Sequence, residues 1–262
     1  MLGLTSPLLS LVPGVSHRFF GRVGGTSPHP YNALNTSFDV SDAPARVHEN
    51  LARVRFQIGV PARALYACTQ VHGREVLVVT AADDAEAVRT HNADALVTLA
   101  HDVAVAVRTA DCAPILLAVN DGSGVAAVHA GWRGAVGGVL ESAVRELCAR
   151  AGTQPSQLVA AIGPTIGIDA FEVGPEVMAQ AAAVVDISGL SRPGHLDLRG
   201  MLERLLAQAG VVRIDVVGGC TVANEAGYFS HRRDVTWRKC AHTGRQMSAI
   251  ARTKPPVLGA DR

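Results

Sequence analysis

Residues 107–134 read VRTADCAPILLAVNDGSGVAAVHAGWRG and decide the fold, because they hold two strand-like apolar runs joined by a turn signal. The runs PILLAV and GVAAVHA flank the triplet NDG, which is typical of a β-hairpin. Each run has a reactive side chain at one end, Cys112 before the first and His129 near the end of the second. A strand that only fills a core has no need of a thiol and an imidazole there. The stretch therefore predicts a buried sheet with reactive groups at its rim.

The composition of the 262-residue chain favours a layered α/β protein. Hydrophobic residues make up 48% of the chain and aromatic residues only 4%. Val, Ala, Leu and Ile must therefore build the core, which suits closely packed strands and helices. The length allows two average domains, but folds of this class often reach this size as one unit. We predict a single domain over residues 1–262, with about 253–262 as a loose C-terminal tail.

Charge and hydropathy exclude several classes of partner. Lys and Arg number 24 against 23 for Asp and Glu, so no net field attracts nucleic acid or an anionic membrane. The apolar runs are too short to span a bilayer, and the opening MLGLTSPLLSLVPGV has no basic stretch before its apolar part. We expect that opening to be an edge strand of a cytoplasmic protein. The five cysteines are scattered and odd in number, which indicates reduced thiols.

Periodicity predicts sheets covered by helices. Ser41 and Asp42 precede ARVHENLARVRFQIG, whose apolar residues recur at helical spacing, so we expect a capped helix that Gly59 stops. Helical patterns recur in AVGGVLESAVRELCARAG after Gly134, in PEVMAQAAAVV, and in LRGMLERLLAQA, where Asp197 is the expected cap. The strand-like runs are ALYACTQV, REVLVVT, ADALVT, DVAVAVRT, PILLAV, GVAAVHA, LVAAIG, IDVVGGCT and MSAIART. This order predicts sheet layers with helices on both outer sides.

A third reactive side chain, His72, ends the strand-like run ALYACTQV just before Gly73. Two imidazoles and a thiolate suit Zn²⁺, and three protein ligands leave one coordination position for water or substrate, as in catalytic zinc sites. The spacings between His72, Cys112 and His129 form no short chelating loop, so only the fold can bring them together. From the residues alone, packed or capping roles at strand ends are the alternative.

Several motifs occur in one order along the chain. They are TQVHG, DALVT, RTADCAPILL, AVHAGWRG, IGPTIGIDAFEVG, and FSHRRD with a later TGRQ. The series resembles that of the YfiH-like family, also called laccase-domain or polyphenol oxidase proteins and purine nucleoside phosphorylases. The resemblance extends from GGTS near residue 24 to TGRQ near residue 243. A single motif such as VHG is weak, but the ordered set is specific.

The resemblance implies a single-domain α-β-β-α sandwich with mixed sheets and a zinc site with His72, Cys112 and His129 as ligands. It implies phosphorolysis of adenosine, inosine and methylthioadenosine, and adenosine deamination is also attributed to the family. Older family names imply copper and phenol oxidation, and peptidoglycan editing is attributed to some bacterial members.

Phosphorolysis requires a phosphate aimed at the sugar C1′, and therefore arginine near the metal. Arg133 follows His129 by four residues, and Arg22, Arg74, Arg232 and Arg233 lie in or beside the matching motifs. These are the anion-site candidates, with Arg22, Arg74 and Arg133 assigned to substrate. The alternative for each is a solvated or ion-paired surface arginine.

Four other residues have two interpretations or depart from the family pattern. Asp111 is a candidate to orient a metal ligand, or a turn residue that caps its own backbone. Asn35 matches a recurring family position and is a substrate-binding candidate or a turn residue. Trp132 is a candidate to stack on a purine or a packing residue. Phe171 stands where relatives usually carry Tyr, and the gap between HRRD and TGRQ, which contains Arg245, is longer than usual.

The function expected from the sequence is that of a cytoplasmic zinc-dependent purine nucleoside phosphorylase with adenosine deaminase activity. Cys112, His72, His129 and Asp111 are assigned to catalysis, the partners are nucleoside and phosphate, and the chain is a monomer or homodimer. A copper-dependent polyphenol oxidase is the first alternative, although the ten His residues form no HxH or HCH cluster. A hydrolase with Cys112 as nucleophile and His129 as base, and a peptidoglycan-editing or binding factor, are the others.

Overall fold

The computed structural model describes residues 3–61 and 64–253. The strands are β1 (Val15–Phe19), β2 (Leu65–Tyr66), β3 (Val76–Val78), β4 (Ala95–Thr98), β5 (Val103–Thr109), β6 (Ala113–Val119), β7 (Val125–Ala130), β8 (Leu158–Ile162), β9 (Ser191–Arg192), β10 (His195–Leu196), β11 (Arg213–Val216) and β12 (Gln246–Arg252). The α-helices are α1 (Pro7–Ser10), α2 (Pro44–Ile58), α3 (Ala85–Arg89), α4 (Trp132–Val136), α5 (Val139–Ala151), α6 (Pro175–Val184) and α7 (Leu198–Gln208), with a 3₁₀ turn at Pro155–Gln157 and a π-helical turn at Arg232–Trp237.

The predicted hairpin forms the middle of the larger sheet. That sheet has the order β11-β8-β6-β7-β4-β3, in which the outer pairs β11-β8 and β4-β3 are parallel and the inner pairs antiparallel. A four-stranded sheet has the order β1-β12-β5-β2, with β2 parallel to β5. Both sheets are mixed, as the sequence predicted.

Three apolar cores separate four layers. One core lies between the larger sheet and the helices that follow it, notably α5 and α7. The second lies between the two sheets. The third lies between the smaller sheet and α2. The predicted α-β-β-α sandwich is therefore confirmed.

Strand β5 shows how the apolar pattern builds two cores at once. Val103, Val105 and Val107 enter the core between the sheets, whereas Ala104 and Ala106 face α2. Both faces are covered, so the strand is a continuous apolar run rather than an alternating one. The small alanines allow α2 to pack close to the sheet.

The opening of the chain departs from the predicted edge strand. Residues Pro7–Ser10 form the short helix α1, because Ser6 accepts a hydrogen bond from the Leu9 amide as a cap and Pro7 occupies the first turn. The strand begins only at Val15, where β1 does form an edge of the smaller sheet.

Two predicted helix features are also wrong in detail. The helix expected after Gly134 is divided into α4 and α5, because Gly138 has a φ of +88° and cannot continue a right-handed helix. The expected caps Asp42 and Asp197 make no capping hydrogen bond. Asp42 instead accepts hydrogen bonds from Ser27 and Asn35.

The predicted tail, about 253–262, lies outside the described residues except for Thr253. Among the described residues no helix combines the length and hydropathy needed to cross a bilayer.

Replacing Leu116 with Ala tests the packing of the two sheets. Leu116 is 0% exposed in the core between them, so the substitution should lower the free energy of unfolding by about 2–5 kcal/mol. Urea denaturation measures the change. Leu11→Ala is the control, because Leu11 is 73% exposed and its loss should change stability by less than about 0.5 kcal/mol. Equal effects of the two substitutions would contradict the layered packing.

Candidate metal centre

The fold brings His72, Cys112 and His129 together. One ligand atom from each residue lies within 4.8 Å of the other two. The Cys112 Sγ is 3.7 Å from the His72 Nε2. The two imidazole rings have centroids 4.8 Å apart and are nearly perpendicular, at 78°. The convergence predicted from strand ends is therefore present.

The hairpin register places two of the three ligands. Cys112 directly precedes β6, and His129 in β7 lies opposite Pro114. The thiol and the imidazole therefore reach the same end of the sheet. His72 arrives differently from the prediction: β2 ends at Tyr66, and His72 lies in the loop beyond it with a φ of +59°.

The buried carboxylate of Asp94 connects this loop to the hairpin. Its Oδ1 accepts hydrogen bonds from the His129 Nδ1 at 2.7 Å and from the His72 amide at 3.0 Å. Its Oδ2 accepts from the amides of Gly73 at 2.6 Å and Val71 at 3.2 Å. With Nδ1 engaged, the Nε2 of His129 is the nitrogen left for a metal, which is the arrangement typical of metal-binding histidines.

Electrostatics favour a thiolate and an imidazolium in the centre without metal. Burial raises the pKa of Cys112, but the charge of His129 and hydrogen bonds from both imidazoles outweigh it and lower the pKa from 9.0 to about 6. Burial lowers the pKa of His129, but the Cys112 thiolate and Asp94 outweigh it and raise the pKa from 6.5 to about 9. Burial likewise opposes ionisation of Asp94, and its hydrogen bond with His129 holds the pKa below 3.8.

A glycine provides the space in which two ligands meet. A Cβ on Gly131 would lie 2.9 Å from the Cys112 Sγ and 2.9 Å from the His72 Cδ2. Real Cβ atoms do not approach other atoms so closely, so a larger residue at position 131 must displace a ligand. Gly131, the first glycine of AVHAGWRG, is therefore part of the centre.

The donor set fits zinc, and the spacing of one donor pair can be compared with a tetrahedral site. Zn–S and Zn–N bonds of about 2.3 and 2.0–2.1 Å place sulfur and nitrogen roughly 3.6 Å apart in a tetrahedral site. The observed separation of Cys112 and His72 is 3.7 Å. Two imidazoles and one thiolate leave a fourth position for a reactant.

The three ligands lie at a cavity of about 540 Å³, here called the metal cavity. This volume is within the range of small-molecule sites. One set of its lining residues is apolar, comprising Trp132, Ile166, Phe171 and Leu198. Another set is polar and includes Arg108, Thr109, His231, Arg232 and Arg245.

Asp111 lines the metal cavity, but its carboxylate makes no hydrogen bond with a metal ligand in the described residues. It accepts hydrogen bonds from the hydroxyls of Thr221 at 2.5 Å and Ser230 at 3.0 Å and from the Arg232 amide at 2.6 Å. Its φ is +93°. Asp111 therefore anchors the turn before Cys112 to distant segments, and within the described residues it orients no metal ligand through a hydrogen bond.

The substrate candidates Asn35 and Arg22 do not line the metal cavity. Asn35 is fully buried, and its amide bonds Ser37, Asp42 and the Arg245 amide. The Arg22 guanidinium donates to Asn32 and to the Glu225 carbonyl and borders a different cavity. Both side chains hold loops together.

Arg74 and Arg133 also lie outside the metal cavity. Arg74 is exposed beside α5. Arg133 is exposed and stacks on Trp132, with its guanidinium carbon 4.4 Å from the ring centroid. Trp132 itself lines the metal cavity.

Sequence reasoning missed Asp94, Arg108 and Thr109. Asp94 opens the motif DALVT, and the chain order gave no indication that its carboxylate faces His129. Arg108 and Thr109 stand in the motif RTADC, directly before the ligand Cys112. Their closeness to Cys112 along the chain is the feature of the sequence that could have identified them.

The family model described as multi-copper polyphenol oxidoreductase laccase matches residues 16–253. The chain belongs to this family of YfiH-like, laccase-domain proteins. Among its relatives is a Deinococcus radiodurans protein named purine nucleoside phosphorylase, 39% identical over 94% of this chain and 94% of that protein. The Escherichia coli protein named purine nucleoside phosphorylase YfiH is 36% identical over 87% and 90%.

Solved structures agree with the fold. The crystal structure of YlmD from Geobacillus stearothermophilus has a TM-score of 0.85 at 30% identity, covering 95% of this chain and 94% of that chain. That of the hypothetical protein YfiH from Bacillus licheniformis has a TM-score of 0.83 at 30% identity, covering 92% and 93%.

Gly131→Ala should weaken metal binding by displacing a ligand. We expect zinc affinity to fall at least about tenfold, as for disturbed ligand orientation, measured by competition with a chromogenic chelator. Gly73→Ala is the matched control in the neighbouring loop, because a Cβ there would lie at ordinary contact distance, 3.5 Å from Asp94. Unchanged zinc affinity in Gly131→Ala would contradict the described centre.

Metal affinity should rise with pH. Between about pH 6 and 9 the free centre holds a Cys112 thiolate and a His129 imidazolium, so each divalent ion that binds displaces the His129 proton. The apparent association constant should increase about tenfold per pH unit in this window and level off above it. Titration calorimetry at pH 7.5 in buffers of different ionisation enthalpy should detect about one released proton.

Asp94→Asn gives the comparison for this proton release. Without the carboxylate charge, the pKa of His129 falls, so the association constant should level off at a lower pH than in wild type. Levelling off at the same pH in wild type and variant would show that Asp94 does not control His129.

Proposed function

We propose that this protein is a zinc-dependent purine nucleoside phosphorylase that acts in the metal cavity. The observation that carries the proposal is the His₂Cys cluster, which borders a cavity with both apolar and cationic walls. The names of the relatives from Deinococcus radiodurans and Escherichia coli support the same reaction class. Adenosine, inosine and methylthioadenosine are the substrates that the family resemblance implies.

The apolar wall receives the purine. Trp132 and Phe171 offer aromatic surfaces, and Ile166 and Leu198 extend them. Arg133 already lies against the Trp132 ring, so a base stacks on the part of the indole that faces the cavity. Phe171 has no hydroxyl, and its part in the reaction is limited to packing.

Phosphorolysis exchanges one bond for another at the ribose. A phosphate oxygen forms a bond to C1′ while the bond from C1′ to the purine nitrogen breaks, and the purine leaves with the bonding electron pair. Bound zinc supplies a fixed positive charge that stabilises negative charge developing on the reacting groups. Asp94 keeps His129 oriented, and Cys112 contributes its thiolate as a ligand.

A multicopper oxidase fits the site less well than a zinc enzyme. Within residues 3–61 and 64–253 one group of three close ligands is present, formed by His72, Cys112 and His129. Oxidases of that class need several coppers and correspondingly more ligands.

Adenosine deamination, expected from the resemblance, is an outcome of the test below. The cytoplasmic location and the monomer or homodimer stay predictions.

The test incubates zinc-quantified protein with adenosine, with and without phosphate. We expect adenine and ribose 1-phosphate only with phosphate, and loss of turnover in Cys112→Ala because a ligand is removed. Cys240→Ala is the thiol control, since Cys240 borders a different cavity. Chromatography of the products and zinc analysis of each variant are the measurements.

Other products would contradict the proposal in distinct ways. Inosine formed without phosphate indicates a deaminase. Oxygen uptake with phenols by copper-loaded protein indicates an oxidase. Activity that survives chelation but not thiol alkylation indicates a cysteine hydrolase.

A further inference from the structure

Three side chains of the smaller sheet reach the metal cavity from one end. Strands β5 and β12 pair antiparallel, with Thr109 opposite Gln246 and Arg108 opposite Met247. Arg245 directly precedes β12 and so emerges at the same end. Thr36 ties the pair together, because its carbonyl accepts from the Arg108 Nε at 2.9 Å and its amide donates to the Arg245 carbonyl at 3.0 Å.

The two guanidinium groups have no carboxylate partner among the described residues. Arg108 donates to the carbonyls of Thr36 and Cys68, and Arg245 donates to those of Thr243 and Gly244. Carbonyl dipoles solvate a cation but do not neutralise its charge. Burial lowers the pKa of both side chains. The lowered pKa reflects the energetic cost of burying a positive charge without a counterion.

A hydroxyl beside them is also unpaired. Thr109 is 2% exposed, and its Oγ1 has no hydrogen-bond partner in the part of the chain that the structure describes. Buried side-chain hydroxyls nearly always have a partner. An unpaired hydroxyl and two cations without a carboxylate partner therefore line the same cavity, and together they suit an oxygen-rich anion.

The other arginines near the metal are already satisfied. Arg232 lines the metal cavity but pairs with Glu172. Arg233 is buried in an ion pair with Asp234 and donates to backbone carbonyls. Both therefore have a carboxylate within 4 Å, which Arg108 and Arg245 lack among the described residues.

We infer that Arg108, Thr109 and Arg245 form the oxyanion site of the metal cavity and that its ligand is inorganic phosphate. The inference rests on the proposed function for the identity of the anion. Arg245 lies close enough to Cys112 for their charges to interact, which places the anion beside the metal centre. The carboxylate of Asp111 acts on Arg245, and the exposed carboxylate of Asp39 acts on both arginines from the cavity rim, so their charge is partly offset.

The test titrates inorganic phosphate into the zinc-loaded protein by calorimetry, without nucleoside. Arg245→Gln should raise the phosphate Kd about 10- to 100-fold, as expected for a lost hydrogen bond to a charged group. Thr109→Val should raise it about two- to tenfold. In both variants zinc content should match wild type, because neither residue makes a hydrogen bond to a metal ligand among the described residues.

Thr109→Val separates binding from a structural role. The change removes an unpaired hydroxyl and preserves shape, so the Tm of the phosphate-free protein should stay unchanged or rise. A lower Tm with unchanged phosphate affinity would show that Thr109 only packs. Arg145→Gln is the control for loss of a positive charge, since Arg145 is exposed on α5, outside the metal cavity.

The inference and the proposed function can fail separately. Wild-type phosphate affinity in Arg245→Gln and Thr109→Val, together with phosphorolysis, overturns the oxyanion site and leaves the function standing. If wild type binds phosphate, both variants lose that binding, and no phosphorolysis is detected, the oxyanion site is supported and the proposed function is rejected. No phosphate binding by wild type overturns the inference.

Discussion

The metal centre depends on the buried carboxylate of Asp94. Four hydrogen bonds end on it, from the His129 ring and from the amides of three consecutive residues, Val71 to Gly73. These bonds hold His72 in a left-handed backbone conformation, with a φ of +59°, that costs energy for a residue other than glycine. One group thus fixes both the ring of one ligand and the backbone of another. Without Asp94, this hydrogen-bond network would not hold His72 and His129 in position relative to each other.

The centre lies where the chain crosses from one sheet to the other. Strand β5 ends at Thr109 in the smaller sheet, and β6 begins at Ala113 in the larger one. The connection carries Asp111 and Cys112, and the Asp111 carboxylate fastens it to Thr221 and Ser230. The larger sheet therefore supplies two of the ligands, the helices and loops that follow it supply the apolar wall, and the smaller sheet supplies the cations. A cavity with two chemically different walls follows from the sandwich itself.

The sequence predicted what local patterns determine. Short apolar runs and the NDG turn predict the central hairpin, and that hairpin brings Cys112 and His129 to the same end of the sheet. Asp94 escaped prediction because its role depends on a loop brought back by tertiary structure. Arg22 and Arg74 were chosen because they lie in or beside the family motifs, and Arg133 because it is close to His129 along the chain, whereas access to the cavity depends on strand register. Register placed Arg108 and Arg245 there instead.

Charge balance explains why the proposed reaction needs both walls. The two positive charges of a bound Zn²⁺ are matched by the Cys112 thiolate and the Asp94 carboxylate, so the metal centre has no net charge left for a phosphate dianion. Burying such an anion without countercharge is unfavourable. Arg108 and Arg245 form no ion pair in residues 3–61 and 64–253, and Asp39 and Asp111 offset their two positive charges only in part. The metal centre is therefore suited to polarising one reactant, and the smaller sheet to holding the other.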